Sequence, residues 1–245
     1  MTNAQSPNIV RSPEAAAAFL ASHIQHTLIS NVLTQALWQK HIEECLKYRF
    51  NAAMIPPAWV HKTSERLLGT GIRVASFIDF PYGTMTSDGK AAEAKSLVDA
   101  GAEEIDLMPN VGFLLSGMEN EYFSDIQGVV RAAGNAPVKI MLELPLLNEE
   151  QKKRAVSLSV EAGALYLKNA SGGAVGVATP DDMRFLRRLA PPHVRVKGSG
   201  GIKTAQQVRD LLDAGADLVG TSSGVQIMSQ LLRSEVPAHS SESAY

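Results

Sequence analysis

The chain has 245 residues, of which 45% are hydrophobic and 20% charged, with one cysteine and a formal net charge of −2. This excludes a disordered chain, an intramolecular disulfide and a cysteine-built zinc site, and it gives no global attraction to nucleic acid or an anionic membrane. No run of roughly 18 apolar residues occurs and the N-terminal stretch lacks a signal-peptide pattern, so a cytoplasmic protein without a membrane span is expected.

Ser12 as N-cap and Pro13 at the first helical position predict a short opening helix. Apolar runs then alternate with amphipathic stretches. Strands are predicted over 23–29, 51–55, 72–78, 104–108, 138–143, 164–168, 194–197 and 218–221. Helices are predicted over 34–48, 58–68, 88–100, 119–133, 148–162, 180–189 and 205–214, with a last one starting near Val225. Three helix-to-strand joints repeat one another: Asp99-Ala100-Gly101-Ala102, Glu161-Ala162-Gly163-Ala164 and Asp213-Ala214-Gly215-Ala216. Each places glycine where a helix ends. Eight evenly spaced strands predict an α/β fold, a single (β/α)8 TIM barrel over residues 1–236, rather than a doubly wound open sheet. The polar tail over 237–245 is expected to be flexible.

In such barrels chemistry sits where strands pass into their following loops. Lys168 ends the apolar run Leu165-Tyr166-Leu167, and Lys197 ends Val194-Arg195-Val196. Desolvating an ammonium is costly, so two strand-end lysines suggest an amine nucleophile and a positive neighbour that lowers its pKa. Asp106 lies inside the fourth strand and Glu143 ends the fifth. The four groups are expected to converge on one barrel mouth, as a site or as an ion-pair network closing the barrel.

Glycine-rich loops follow the last three strands. Gly172-Gly173, Gly198-Ser199-Gly200-Gly201 and Gly220-Thr221-Ser222-Ser223-Gly224 offer backbone N–H groups and hydroxyls. This is the phosphate cradle expected of such barrels, built from Gly172, Gly173, Gly200, Gly201, Gly220, Ser222 and Ser223.

His26-Thr27-Leu28, Phe80-Pro81-Tyr82-Gly83, Gly101-Ala102-Glu103-Glu104-Ile105-Asp106, Leu167-Lys168, Val196-Lys197-Gly198-Ser199-Gly200-Gly201 and Gly220-Thr221-Ser222-Ser223-Gly224 together carry a family resemblance. From about His26 to Ile227 the chain resembles the deoxyribose-phosphate aldolases, class I aldolases on a (β/α)8 barrel. The resemblance implies reversible cleavage of 2-deoxy-D-ribose 5-phosphate to D-glyceraldehyde 3-phosphate and acetaldehyde. It implies Lys168 as Schiff-base lysine, Lys197 as the charge that depresses the Lys168 pKa, and Asp106 as proton-relay carboxylate. It implies no metal and no cofactor. The terminal Tyr245 is similar to a tail tyrosine that assists proton transfer in some members.

Four departures stand out. The family's Ile-Asp-His-Thr reads Ile24-Gln25-His26-Thr27, the segment near strand two reads Ala52-Ala53-Met54-Ile55-Pro56-Pro57, Pro109 follows Met108, and Asn169-Ala170 follow Lys168. These residues are expected to line or approach the pocket, which leaves another sugar phosphate as an alternative substrate and a silent phosphometabolite-binding barrel as an alternative function. His26 is the one histidine expected to face the pocket, through a structural hydrogen bond. Cys45, Trp38 and Trp59 read as packing residues, and Arg184, Arg187 and Arg188 as an exposed face too small for nucleic acid. The expected partners are a small phosphorylated substrate and further copies of the chain in a dimer or tetramer.

Overall fold

The computed structural model describes residues 13–233; Ser12, the tail over 237–245 and Tyr245 lie outside the described residues. In chain order the elements are α1 (Pro13–Ala21), β1 (Ile24–Thr27), α2 (Gln35–Tyr48), β2 (Ala52–Met54), α3 (Val60–Leu67), β3 (Arg73–Ile78), α4 (Ser87–Asp99), β4 (Glu104–Leu107), α5 (Val111–Leu115), α6 (Glu119–Ala133), β5 (Val138–Met141), α7 (Glu149–Glu161), β6 (Tyr166–Lys168), α8 (Pro180–Leu189), β7 (Arg195–Ser199), α9 (Ala205–Asp213), β8 (Leu218–Thr221) and α10 (Gly224–Arg233). The strands pair in parallel from β1 to β8, and β8 pairs back onto β1, closing a TIM barrel.

Local chemistry starts and stops the helices. The side chains of Thr34, Thr86, Asn148, Thr179 and Thr204 each accept a backbone N–H from the first turn. Such caps contribute ~1 kcal/mol each. At the three repeated joints Gly101, Gly163 and Gly215 take φ of +100°, +96° and +106°, where a Cβ is strained.

Alternation along the strands divides the core in two. Outward residues such as Ile105, Ile140, Leu167, Val196 and Val219 pack against helix faces, including Ile42 and Cys45 of α2 and Tyr122, Ile126 and Val129 of α6. Each large apolar side chain buried there contributes at most ~1.5–3 kcal/mol. Inward residues are mixed: Ala52, Met54 and Ala75 form a small apolar cluster, while Gln25, Glu104, Asp106, Lys139, Lys168 and Lys197 are buried polar groups. Register sets their neighbours. Asp106 is the partner of Lys139, and Lys168 is the partner of Met141 and of Lys197.

Two elements differ from the sequence reading. α5 has five residues, too few to show a helical period, and starts where the Asn110 side chain accepts the Phe113 N–H. β5 stops at Met141, and Glu143 lies past it at φ +53°, so it does not end the strand.

Candidate active site

A cavity of ≈ 280 Å³ is walled by loops that follow the strands. Asp106, Lys168 and Lys197 lie at its floor, and Gly172, Gly173, Gly200, Gly201, Gly220, Ser222 and Ser223 line it, as does Thr221. Gly200 at φ +109° and Gly201 at φ +68° hold conformations that suit glycine. A Cβ on Gly200 would run into the Gly176 carbonyl, and one on Gly201 would meet Val177 at 2.8 Å. The opposite wall is apolar, made by Met54, Phe77, Phe80 and Met141.

The floor is built around one carboxylate oxygen. Asp106 Oδ2 accepts from Lys168 Nζ at 2.9 Å and from Lys197 Nζ at 2.7 Å. Asp106 Oδ1 lies 3.3 Å from Lys139 Nζ, which also contacts Glu104 Oε2 at 2.6 Å. Arg73 donates to the other Glu104 oxygen at 2.6 Å. Gln25 bridges the ring: its Oε1 accepts from Lys197 Nζ at 2.5 Å and its Nε2 donates to Glu104 Oε2 at 2.6 Å.

Four cations thus face two carboxylates inside a barrel. Burial alone would raise the Asp106 carboxyl, but Lys168, Lys197 and Lys139 outweigh it and hold it well below the usual carboxylate range. Glu104 follows the same balance, with Lys139, Arg73 and Gln25 overcoming burial to bring it to about 2. The positive excess falls on Lys197. Burial first, with the neighbouring Lys168 and Lys139 charges, pushes its ammonium down to about 7 against the pull of Asp106. Lys197 is the more enclosed of the two cavity lysines, 1% exposed against 5% for Lys168.

Several expectations change. Glu143 does not join the lysines: its carboxylate accepts the Ser171 N–H and braces the loop after β6. His26 faces outward, with Nε2 3.0 Å from Glu44 Oε2 of α2 and its ring stacked on His41 at 4.6 Å. Asn169, Ala170 and Pro109 are absent from the cavity wall. Asn169 spends its amide on the Ser199 backbone, at 3.1 and 2.8 Å, and Ala170 is fully buried. Of the segments that depart from the family, Met54 reaches the cavity and Gln25 reaches Lys197. Arg187 belongs to no free cationic face, since it bonds Asp217 and the Val194 carbonyl. Cys45 is buried, and Trp38 and Trp59 stack in the helical shell at 5.9 Å, as expected.

The sequence reading missed Lys139 and Glu104. Glu104 opens β4 and Lys139 is the second residue of β5; each lies two positions before an inward residue of its own strand, Asp106 and Met141, and that alternation was the signal that they point inward. It also missed Lys203, which joins the cavity wall two residues after Gly201.

A parallel barrel that buries two amines on a shared carboxylate beneath glycine loops has the equipment of an amine-dependent aldolase. Residues 34–230 match the DeoC/LacD family of aldolases, and the chain belongs to that family. It is 41% identical over 210 residues to a deoxyribose-phosphate aldolase of Geobacillus sp. (strain WCH70), covering 85% of this chain and 94% of the relative. It is 39% identical over 210 residues to the deoxyribose-phosphate aldolase of Bacillus subtilis (strain 168), with 85% and 94% covered. The tetrameric deoxyribose phosphate aldolase of Aeropyrum pernix superimposes with a TM-score of 0.80 at 32% identity, covering 90% of this chain and 92% of that one.

Proposed function

We propose that this aldolase cleaves 2-deoxy-D-ribose 5-phosphate to D-glyceraldehyde 3-phosphate and acetaldehyde through a Schiff base on Lys168. The observation that carries the reading is the shared Asp106 Oδ2, which accepts from both Lys168 and Lys197 at the cavity floor. The deoxyribose-phosphate aldolases of Geobacillus and Bacillus subtilis support the substrate.

The Lys168 amine attacks the aldehyde carbon and water leaves, giving an iminium. The hydroxyl proton on C3 of the substrate passes to the Lys197–Asp106 pair. The C2–C3 bond then breaks, its electrons flow into the iminium, and glyceraldehyde 3-phosphate departs. Returning the proton to C2 of the enamine and hydrolysing the imine releases acetaldehyde and restores Lys168. A lysine that titrates near pH 7 can both take and return that proton. The glycine and serine loops, with Lys203, receive the phosphate. Met141, the register partner of Lys168, and the cavity residues Met54 and Phe77 present apolar surface, which favours a 2-deoxy sugar. The reading covers one barrel domain over residues 1–236, in the cytoplasm, assembled as a dimer or tetramer like the Aeropyrum protein.

Borohydride reduction in the presence of acetaldehyde tests the chemistry. Mass should appear at Lys168, and a missing adduct, or one that survives Lys168→Ala, sinks the Schiff base. A coupled assay for glyceraldehyde 3-phosphate tests the substrate, and trapping without turnover of 2-deoxyribose 5-phosphate would remove it. Light scattering gives the assembly, and a monomer would overturn that part.

A further inference from the structure

Three lysines surround Asp106, and they are not placed alike. Lys168 and Lys197 line the cavity and share Asp106 Oδ2, at 2.9 and 2.7 Å. Lys139 is fully buried and absent from the cavity wall, with its Nζ 3.3 Å from Asp106 Oδ1 and 2.6 Å from Glu104 Oε2. The two oxygens of one carboxylate thus face different cations. Oδ1 has no directed hydrogen bond among the described residues, and the Lys139 ammonium is the charge that lies against it.

Register produces the split. Lys139 is the direct partner of Asp106 on the neighbouring strand, whereas Lys168 is the partner of Met141, two residues further along β5. Alternation keeps Lys139 on the inward face but sets it nearer the start of the strand, away from the loops. Its counterions differ as well. Burial opposes its charge, but Asp106 and Glu104 outweigh burial and hold its ammonium above the ordinary lysine range. Lys139 is therefore a permanent cation with no access to the cavity, beside a Lys197 that titrates at about 7. The groups facing Lys197 are Asp106 of β4, Lys168 of β6, Lys139 of β5 and the neutral Gln25 of β1; Glu104 and Arg73 stand one contact further, and Gly220 of β8 packs against Cε without charge.

We propose that Lys139 is a positioning residue for the proton relay: its fixed charge anchors the Oδ1 side of Asp106, presents Oδ2 to Lys168 and Lys197, and repels a proton on Lys197. This rests on the Schiff-base reading given above and extends it to a residue outside the cavity. Without Lys139, Oδ1 would lose its cation and the carboxylate would be free to turn away from the two amines. The negative charge of Asp106 would then fall on Lys168 and Lys197 alone, and Lys197 would bind its proton more tightly.

The test compares Lys139→Met, Lys139→Gln and Lys139→Arg with the parent. Two readouts are taken: the pH profile of kcat, and the pH titration of the Lys197 13Cε signal, which requires no turnover. In the two neutral variants the Lys197 titration should move up by about one pH unit or more, and the rising limb of kcat should move with it. At pH 7 their kcat should fall about tenfold or more at little change in KM. Lys139→Arg keeps the charge, and its Lys197 titration should stay within about half a pH unit of the parent's. Borohydride trapping at Lys168 should persist in all three at alkaline pH. A Lys197 titration unmoved in both neutral variants overturns the inference, since a merely structural ion pair would change stability and leave that titration in place. A kcat at pH 7 equal to the parent's in both overturns it too, as does an arginine variant shifted as far as Lys139→Met. If trapping fails in the parent while the Lys197 titration still responds to Lys139→Met, the Schiff-base reading falls and the hold of Lys139 on Asp106 and Lys197 stands. Should one neutral variant not fold, the other supplies the same comparison.

Discussion

Two places in this protein bury lysines, and they do opposite things. Lys90 of α4 is wholly buried outside the strand barrel, 2.7 Å from Asp125 and 3.5 Å from Asp79, and it also donates to the Gly83 carbonyl at 3.1 Å. One cation there meets two carboxylates, and Asp125 is further tied to the Asn110 N–H and the Ser87 hydroxyl. In the barrel Lys139, Lys168 and Lys197 crowd around Asp106, with Glu104 already shared with Arg73. An outnumbered lysine is a brace that pins the loops after β3 and β4. Lysines that outnumber their carboxylates cannot all keep their protons cheaply, and two of these, Lys168 and Lys197, border a cavity. Counterion count and access to the cavity, rather than burial, separate structure from chemistry.

The sharpest way to break this comparison is to delete lysines from each place. Lys168→Ala should cut the rate by ~10³-fold or more, leaving thermal stability close to the parent's, measured by the coupled assay and by melting. Lys197→Leu should lower kcat by ~10²–10³-fold with the fold intact; unchanged turnover would remove it from the mechanism. Lys90→Met should do the reverse. Stranding Asp125 and Asp79 without their cation should cost about 3–5 kcal/mol in chemical denaturation, while the folded fraction retains its kcat.

A pH series sharpens the electrostatic side. Lys197 titrates at about 7 in the folded protein against 10.5 for an ordinary lysine. Below pH 7 it carries its proton and cannot accept another, so kcat should fall about tenfold per pH unit on the acid side and level off above. The unfolded chain keeps that proton up to 10.5, so this group's contribution to stability rises with pH from about 7 to 10.5. A rate that is flat from pH 5.5 to 8.5 would refute the assignment. The smallest effect is expected at the phosphate loops, where Ser223→Ala should raise KM roughly two- to tenfold and leave kcat alone.

The barrel was legible because its signals are local. Helix caps such as Thr34 and Thr204, the repeated Ala-Gly-Ala joints and the short apolar runs each act over a few residues. α5 escaped because five residues cannot display a period. The site was legible where a charged residue interrupted an apolar run at a strand end, as Lys168 and Lys197 do. Glu143 satisfied the same pattern and misled, because the chain leaves the strand after Met141 and turns its carboxylate to Ser171. Asn169 misled in the opposite way: it follows Lys168 directly, yet strand alternation sends its side chain to the Ser199 backbone.

By itself, then, the sequence determined the eight-strand order and marked the glycine loops, Lys168, Lys197 and Asp106, which the structure brings to one cavity, since these follow from local propensity, alternation and motif. Tertiary structure alone decided how charge is distributed among them. The electrostatic state of Lys197 depends on Gln25, 172 positions away in sequence, and on Asp106, 91 positions away. Coulomb energies and desolvation depend on distances across the closed barrel, and no spacing along the chain encodes those distances.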